Sequence, residues 1–224
     1  MPLTESRSRQ FDLLAFDWDG TLSDSTAAIS RCIQLAVADV GGVVPSASQA
    51  AYVIGLGLVQ ALAHAAPDVP QQRYPELIER YRFHYQQRQD DICLFPGVVD
   101  MLTDLRLSQH WLVVATGKSR VGLDAALRSS ELQGMFHSSR TAEETRSKPD
   151  PRMLLELMQE FDVPPQRLLM IGDTTHDLQL ALNAGCASVA VSYGAHEPAG
   201  FAALEPLHVA HSVADLHAWL MEHA

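Results

Sequence analysis

Four short apolar runs punctuate the chain: Phe11 to Phe16, Trp111 to Ala115, Arg167 to Ile171 and Ala187 to Ser192. Each has the length of a strand, and helix-length segments separate them. This alternation predicts an α/β fold built on a doubly wound, Rossmann-like parallel sheet. Between Ser25 and Asp91 the pattern changes. No strand-like run occurs there, while Ile29, Ile33, Ala36, Val37 and Val40 recur at helical spacing until Gly41-Gly42 stops them. Leu77, Ile78, Tyr81 and Tyr85 repeat that spacing. Residues 25–91 therefore read as a small all-helical cap domain inserted after the first strand, with 1–24 and 92–224 forming the α/β core. Leu94-Phe95-Pro96-Gly97 marks the return to that core, and Tyr74, Tyr81, Phe83 and Tyr85 read as interior and interface of the insert. The C-terminal stretch HVAHSVADLHAWLMEHA predicts a last strand and an amphipathic helix.

Composition narrows the class. A chain of 224 residues with 47% hydrophobic content can bury a sizeable core. Sixteen basic residues against 27 acidic ones leave a net charge of −11, which argues against nucleic acid and anionic membranes as partners. The polar start MPLTESRSRQ resembles neither a secretory signal nor a membrane span, so a cytoplasmic location is expected. Cys32, Cys93 and Cys186 are scattered and form no CxxC pair, so they read as small core residues and not as a disulfide framework or zinc site.

Open parallel sheets bind ligands beyond the carboxyl ends of their strands, and three of the four runs end in reactive groups. The first delivers DWDGT, the second TGK and the third GDTTHD. Alternate residues of an extended chain point the same way, so Asp17 and Asp19 are expected to converge on one spot while Gly20 turns the backbone and Ser23 or Asp24 caps the next helix. Asp173 ends its strand. Asp177, in the first turn of the following helix, reads on its own as a complement to the helix dipole, and His176 as a solvated loop histidine. Two like charges about 4 Å apart repel by roughly 4 kcal/mol at an effective dielectric of 20. Gathering Asp17, Asp19 and Asp173 thus calls for shared protons or a divalent cation. An all-oxygen ligand set of few members suits magnesium.

The chain carries only two lysines, Lys118 and Lys148, and both lie beside these segments. Lys148 precedes Pro149-Asp150-Pro151, where Asp150 can cap a helix with Pro151 at its first position and Met153, Leu154, Leu157, Met158 and Phe161 on its inner side. Lys118 is equally compatible with a surface position. Thr116 and Gly117 precede a helix starting near Ser119, and form a natural anion seat. TGKS lacks the spacing of a Walker loop. Nucleophile, metal and anion donors together are what phosphoryl transfer needs, and an aspartate can be the nucleophile.

The ordered set DWDGT, ATGK, SKPDP and GDTTHD, with a helical insert after the first motif, resembles the four motifs of the haloacid dehalogenase-like hydrolase superfamily. Its phosphatase branch with a helical cap, typified by phosphoglycolate phosphatase, is most similar. The resemblance implies a small phosphorylated metabolite as substrate, a Mg2+ cofactor, Asp17 as nucleophile and Asp19 as acid and base. It implies Asp17, Asp173 and the backbone carbonyl of Asp19 as metal ligands, with Asp177 behind them. Thr116, Gly117 and Lys148 would hold the phosphoryl oxygens, and Gly20-Thr21 would let the chain leave the site. Dehalogenases and phosphonate-cleaving members lack an acid at the position of Asp19, and the insert holds no lysine of the kind the latter need. VIGLGL at 53–58 resembles the cap loop of the family, and Arg80, Arg82 and Arg88 are the cap arginines within reach of a substrate. A sugar phosphomutase and a phosphoaspartate receiver domain are the alternatives. A DxD nucleotide-sugar transferase leaves Lys148 unexplained. A monomer or homodimer is expected.

Overall fold

In the computed structural model, which describes residues 9–224, six parallel strands form one sheet in the order β3-β2-β1-β4-β5-β6. They are β1 (Leu13–Phe16), β2 (Trp111–Thr116), β3 (Ser138–Thr141), β4 (Leu168–Gly172), β5 (Ala187–Val191) and β6 (Val209–Ala210). The start of the chain, read above as no signal, lies almost wholly outside the described residues. No helix among those described is long and apolar enough to cross a membrane.

The four apolar runs become β1, β2, β4 and β5, and each is buried on both faces as a parallel sheet requires. Leu14, Phe16, Leu112, Val114, Leu169 and Ile171 face one side. There they pack on α5 (Val98–Leu107) and α9 (Val213–His223). Their alternate neighbours Leu13, Ala15, Val113, Ala115, Leu168 and Met170 face α7 (Arg152–Phe161) and α8 (Thr175–Ala184). β3 has no apolar run to announce it. It is an edge strand of sequence SSRT, held by pairing to β2 and by Arg140, which binds Glu156 and Glu160 of α7.

Between β1 and α5 the chain makes four α-helices: α1 (Thr26–Asp39), α2 (Ala47–Tyr52), α3 (Leu58–Ala65) and α4 (Tyr74–Gln86). They enclose a core of their own, including Ile33, Val37, Val53, Leu62 and Leu77, so this layer is an all-helical cap. Helix α1 ends before Gly41, whose φ of 69° needs no Cβ. Chain entering and leaving the cap runs side by side, with Asp24 N donating to Cys93 O at 2.9 Å and Phe95 N to Leu22 O at 3.0 Å.

Several local expectations shift. Ser25, not Ser23 or Asp24, is the residue before α1, and its hydroxyl caps nothing because it is committed to Asp19. Asp150 accepts from Arg152 N at 3.0 Å, but the helix starts one residue after Pro151. Cys93 is exposed, since it sits in the linker and not in a core. Phe83 is 45% exposed on the outer face of α4, whereas Tyr74, Tyr81 and Tyr85 pack inward.

Candidate active site

The strand order reverses between β1 and β4, which places the crevice of this sheet beyond their carboxyl ends. Register aligns Phe16 with Ile171, so Asp17 leaves β1 level with Gly172, one residue before Asp173. Asp17 N still donates to Ile171 O at 2.9 Å, which fixes the first acid as the ladder ends. Its parity follows Leu13 and Ala15, towards α7 and α8, where Lys148 waits. Lys148 Nζ lies 2.7 Å from Asp17 Oδ1 and 2.6 Å from Asp177 Oδ1, and the ammonium is 0% exposed.

Carboxylate oxygens of Asp17, Asp173 and Asp177 all lie within 4.8 Å of one another. Asp173 is held from two sides, by the Thr21 hydroxyl at 2.9 Å and by Ala195 N at 2.7 Å. Asp177 Oδ2 accepts from the hydroxyl of Thr174 at 2.6 Å and from its amide at 3.1 Å, closing a capping box at the start of α8. Two oxygens remain without a hydrogen-bond donor: Asp17 Oδ2, and Asp177 Oδ1, which touches Lys148 off any hydrogen-bond line.

Three carboxylates against one ammonium leave this buried pocket short of positive charge. Burial raises the Asp17 carboxyl to about 7, with Lys148 opposing the rise. Burial, followed by the charges of Asp17 and Asp177, lifts Asp173 well above the usual carboxylate range. Lys148 is pushed down by burial, but Asp17 and Asp177 more than offset this and hold it above its ordinary value. An orphaned buried oxygen amid all-oxygen donors is the setting that a hard divalent cation fits.

The Asp19 carboxylate, expected from the alternation to converge with Asp17, is not part of this three-carboxylate set, although its charge still acts on Asp17. The chain bends at Trp18, whose ring enters the core, and Gly20 turns with φ 86°. A Cβ at Gly20 would fall on Asp173 Oδ2, so both the turn and the closeness of that acid require glycine. Asp19 instead accepts from Ser25 Oγ at 2.7 Å and pairs with Lys118 Nζ at 2.9 Å. Lys118 is no surface residue: its ammonium also donates to the Tyr85 hydroxyl of the cap at 3.0 Å. Burial pushes Lys118 down, and Asp19 with Tyr85 more than restores it.

Thr116 is buried at the end of β2, and Ser119 caps α6 (Arg120–Ser129) by accepting from Gly122 N. The cap loop 53–58 rests on this segment. A Cβ at Gly117 would strike the backbone carbonyls of Gly55 and Leu56, and Gly57 N donates to Ser147 Oγ at 2.7 Å. A cavity of about 990 Å³ opens between cap and core at Asp19, Gly117 and Lys118.

The model of the haloacid dehalogenase-like hydrolase family matches residues 14–191. The chain belongs to this family. A phosphoglycolate phosphatase from Aliivibrio fischeri is 31% identical over 191 residues, 81% of this chain and 84% of that protein. Another from Chromobacterium violaceum is 32% identical, over 81% and 85%. The crystal structure of a predicted phosphoglycolate phosphatase from Haemophilus somnus superposes with a TM-score of 0.82 at 26% identity, covering 93% of this chain and 97% of that one.

Sequence reasoning passed over several residues of this haloacid dehalogenase-like site. Thr21, read as part of an exit turn, holds Asp173. Ser25 and Tyr85 serve Asp19 and Lys118. The Thr174-x-x-Asp177 spacing is a cap signature that announces their pairing; no local signal announces Ala195. His176 faces away from the carboxylates, donating Nε2–H to Tyr52 O at 2.8 Å beside His196, which does the same at 2.9 Å. Arg80 is engaged by Asp39, and Arg88 by His84 O, away from the cavity.

Proposed function

We propose that the protein is a magnesium-dependent phosphatase that hydrolyses a small phosphomonoester through an aspartyl-phosphate, in the manner of the phosphoglycolate phosphatases it resembles. The observation that carries this reading is the buried set of Asp17, Asp173 and Asp177 around Lys148, beside a second acid, Asp19, with a separate cationic partner. Asp17, Asp173 and the Asp19 carbonyl would hold the ion, with Asp177 fixing Lys148. When bound, magnesium offsets the excess negative charge and draws electron density from the phosphoryl oxygens.

Asp17 attacks phosphorus, forming an acyl phosphate as the bond to the leaving alcohol breaks. Asp19 faces the cavity and gives its proton to the leaving oxygen. It then takes a proton from the water that attacks phosphorus, which frees inorganic phosphate and restores Asp17. Lys148, fixed by Asp177, orients Asp17 and, with Thr116 and the Gly117 amide, faces the phosphoryl oxygens. In this reading residues 25–91 form the cap that closes over the substrate. Phosphate release from p-nitrophenyl phosphate, with and without Mg2+, tests it. Asp17→Asn should abolish the magnesium-dependent rate; an unchanged rate would refute the role of Asp17.

A further inference from the structure

The cavity at Asp19 is out of proportion to a glycolate. Its volume of about 990 Å³ lies at the upper end of the range that encloses drug-sized ligands. On the cap side its wall is Ile29, Ile33, Val53, Ile54 and Leu58. Tyr81 and Tyr85 add an aromatic pair with ring centroids 5.9 Å apart. Burial keeps both as neutral phenols. On the core side Phe95, Val99, Val121 and Ala125 complete it.

Charge is placed against a second anion. Among the described residues lining the cavity the cations are Lys118 and Arg82. Lys118 is already engaged by Asp19 at 2.9 Å and Tyr85 at 3.0 Å, and Arg82 is solvent-exposed. The remaining charged lining residues besides Asp19 are Asp100, Glu131 and Glu143, all acidic. A carboxylate on the leaving group would have to take Lys118 from Asp19 at a cost, draw in solvent-exposed Arg82, or rely on uncharged Gln86, Gln89 and serines in a lining that already holds three further acids. An uncharged apolar group meets none of these obstacles and displaces water from apolar walls.

We propose that the preferred substrate is a phosphomonoester of a bulky, uncharged, apolar alcohol, with the phosphoryl group at Asp17 and the alcohol portion in this cavity. The inference rests on the phosphatase reading above. The cavity begins at Asp19, the residue assigned to the leaving oxygen, while Asp17 is not among its lining residues, so the alcohol side of a bound ester is the part that would face it.

The test compares kcat/KM, with saturating Mg2+, for 2-phosphoglycolate, n-hexyl phosphate and 2-phenylethyl phosphate. The last two release poorer leaving groups than glycolate, so a preference for them reports binding and not intrinsic reactivity. One or both should exceed phosphoglycolate by about tenfold or more, equivalent to about 1.4 kcal/mol. Which of the two leads separates a need for the aromatic wall from a general apolar fit. Leu58→Asp puts a charge in the cavity at the first residue of α3, where a helix tolerates an acid, so folding should survive and circular dichroism checks it. The preference should fall to about threefold or less in that variant. Turnover of phosphoglycolate equal to or above both apolar esters overturns the inference and leaves the phosphatase reading standing. Absence of magnesium-dependent release from all three, with Asp17→Asn matching wild type, removes that reading and the inference with it.

Discussion

Gly117→Ala isolates the docking of the cap loop from the chemistry beneath it. A Cβ at this position would lie against Leu56 O, 2.5 Å from Gly55 O and 2.8 Å from Gly55 C. Ordinary contact begins near 3.4 Å, so against Gly55 O alone the loop must retreat by 3.4 Å less 2.5 Å, about 0.9 Å. The obstacles are backbone atoms and cannot rotate away. Gly117 has no positive φ, so alanine costs its own segment nothing, and the amide that the proposed mechanism offers to the phosphoryl group is retained. The damage therefore falls on the closed arrangement, in which the loop reaches Ser147 and α4 brings Tyr85 to Lys118. A misplacement of about 1 Å in a catalytic arrangement costs about 10²-fold. We expect kcat/KM for p-nitrophenyl phosphate to fall by about that factor, or about 2.7 kcal/mol of barrier, with the melting temperature within about 2 °C of wild type. Activity within about twofold of wild type would refute the reasoning, because it would mean that the loop need not seat on Gly117.

Lys148→Met leaves Asp17 and Asp177 buried without their cation, and breaking such a pair costs about 3–5 kcal/mol. At about 2–4 °C per kcal/mol for a chain of this size, metal-free melting should drop by about 6–20 °C in calorimetry. Added Mg2+ should raise the melting temperature of the metal-free wild type, by about 2.7 kcal/mol of stability at a hundred times its Kd, and Asp173→Asn should lose that response. Buried His110 donates Nδ1–H to Phe11 O, and burial first, then Arg9, holds its imidazole below its ordinary value of 6.5. The unfolded chain then takes up the proton before the folded one, so stability present above pH 6.5 is lost as pH falls through the folded value. Urea titrations from about pH 7 to about pH 5 should show wild type losing stability relative to His110→Gln.

The apolar runs alone located the strands carrying the acids, because a buried parallel strand needs little besides an apolar sequence. β3 escaped for the converse reason: at an edge, ladder bonds and the Arg140 ion pairs hold a polar strand that no pattern marks. Asp17, Asp173 and Lys148 were legible from strand ends and from the scarcity of lysine. The partition between Asp17 and Asp19 was not, because alternation holds only for extended backbone and the chain bends at Trp18. Nor was the second role of Lys118 legible, since its partner Tyr85 lies 33 residues away on another layer.

Exposure divides the proposed chemistry between two compartments. Asp17 is 1% exposed and Asp173 and Lys148 are 0%, so a phosphomonoester cannot arrive while the cap is in this position. Asp19 borders the cavity and remains 8% exposed. The nucleophile can thus be kept dry while the group that handles protons keeps a path to water, which the second half-reaction needs and the first must exclude. Lifting the cap would involve mainly polar contacts: Tyr52 O from His176 and His196, Gly57 N from Ser147, and Tyr85 from Lys118. Its apolar core is closed largely within itself, so little hydrophobic surface opposes the motion. Each of those contacts, traded for water, contributes only about 0.5–1.5 kcal/mol net. In the proposed mechanism a lid fastened this way would open to admit substrate, and its closing would bring Tyr85 of the cap to the lysine that pairs with Asp19. The acid proposed to protonate the leaving group would then be set in its final pairing by the same movement that seals the proposed nucleophile.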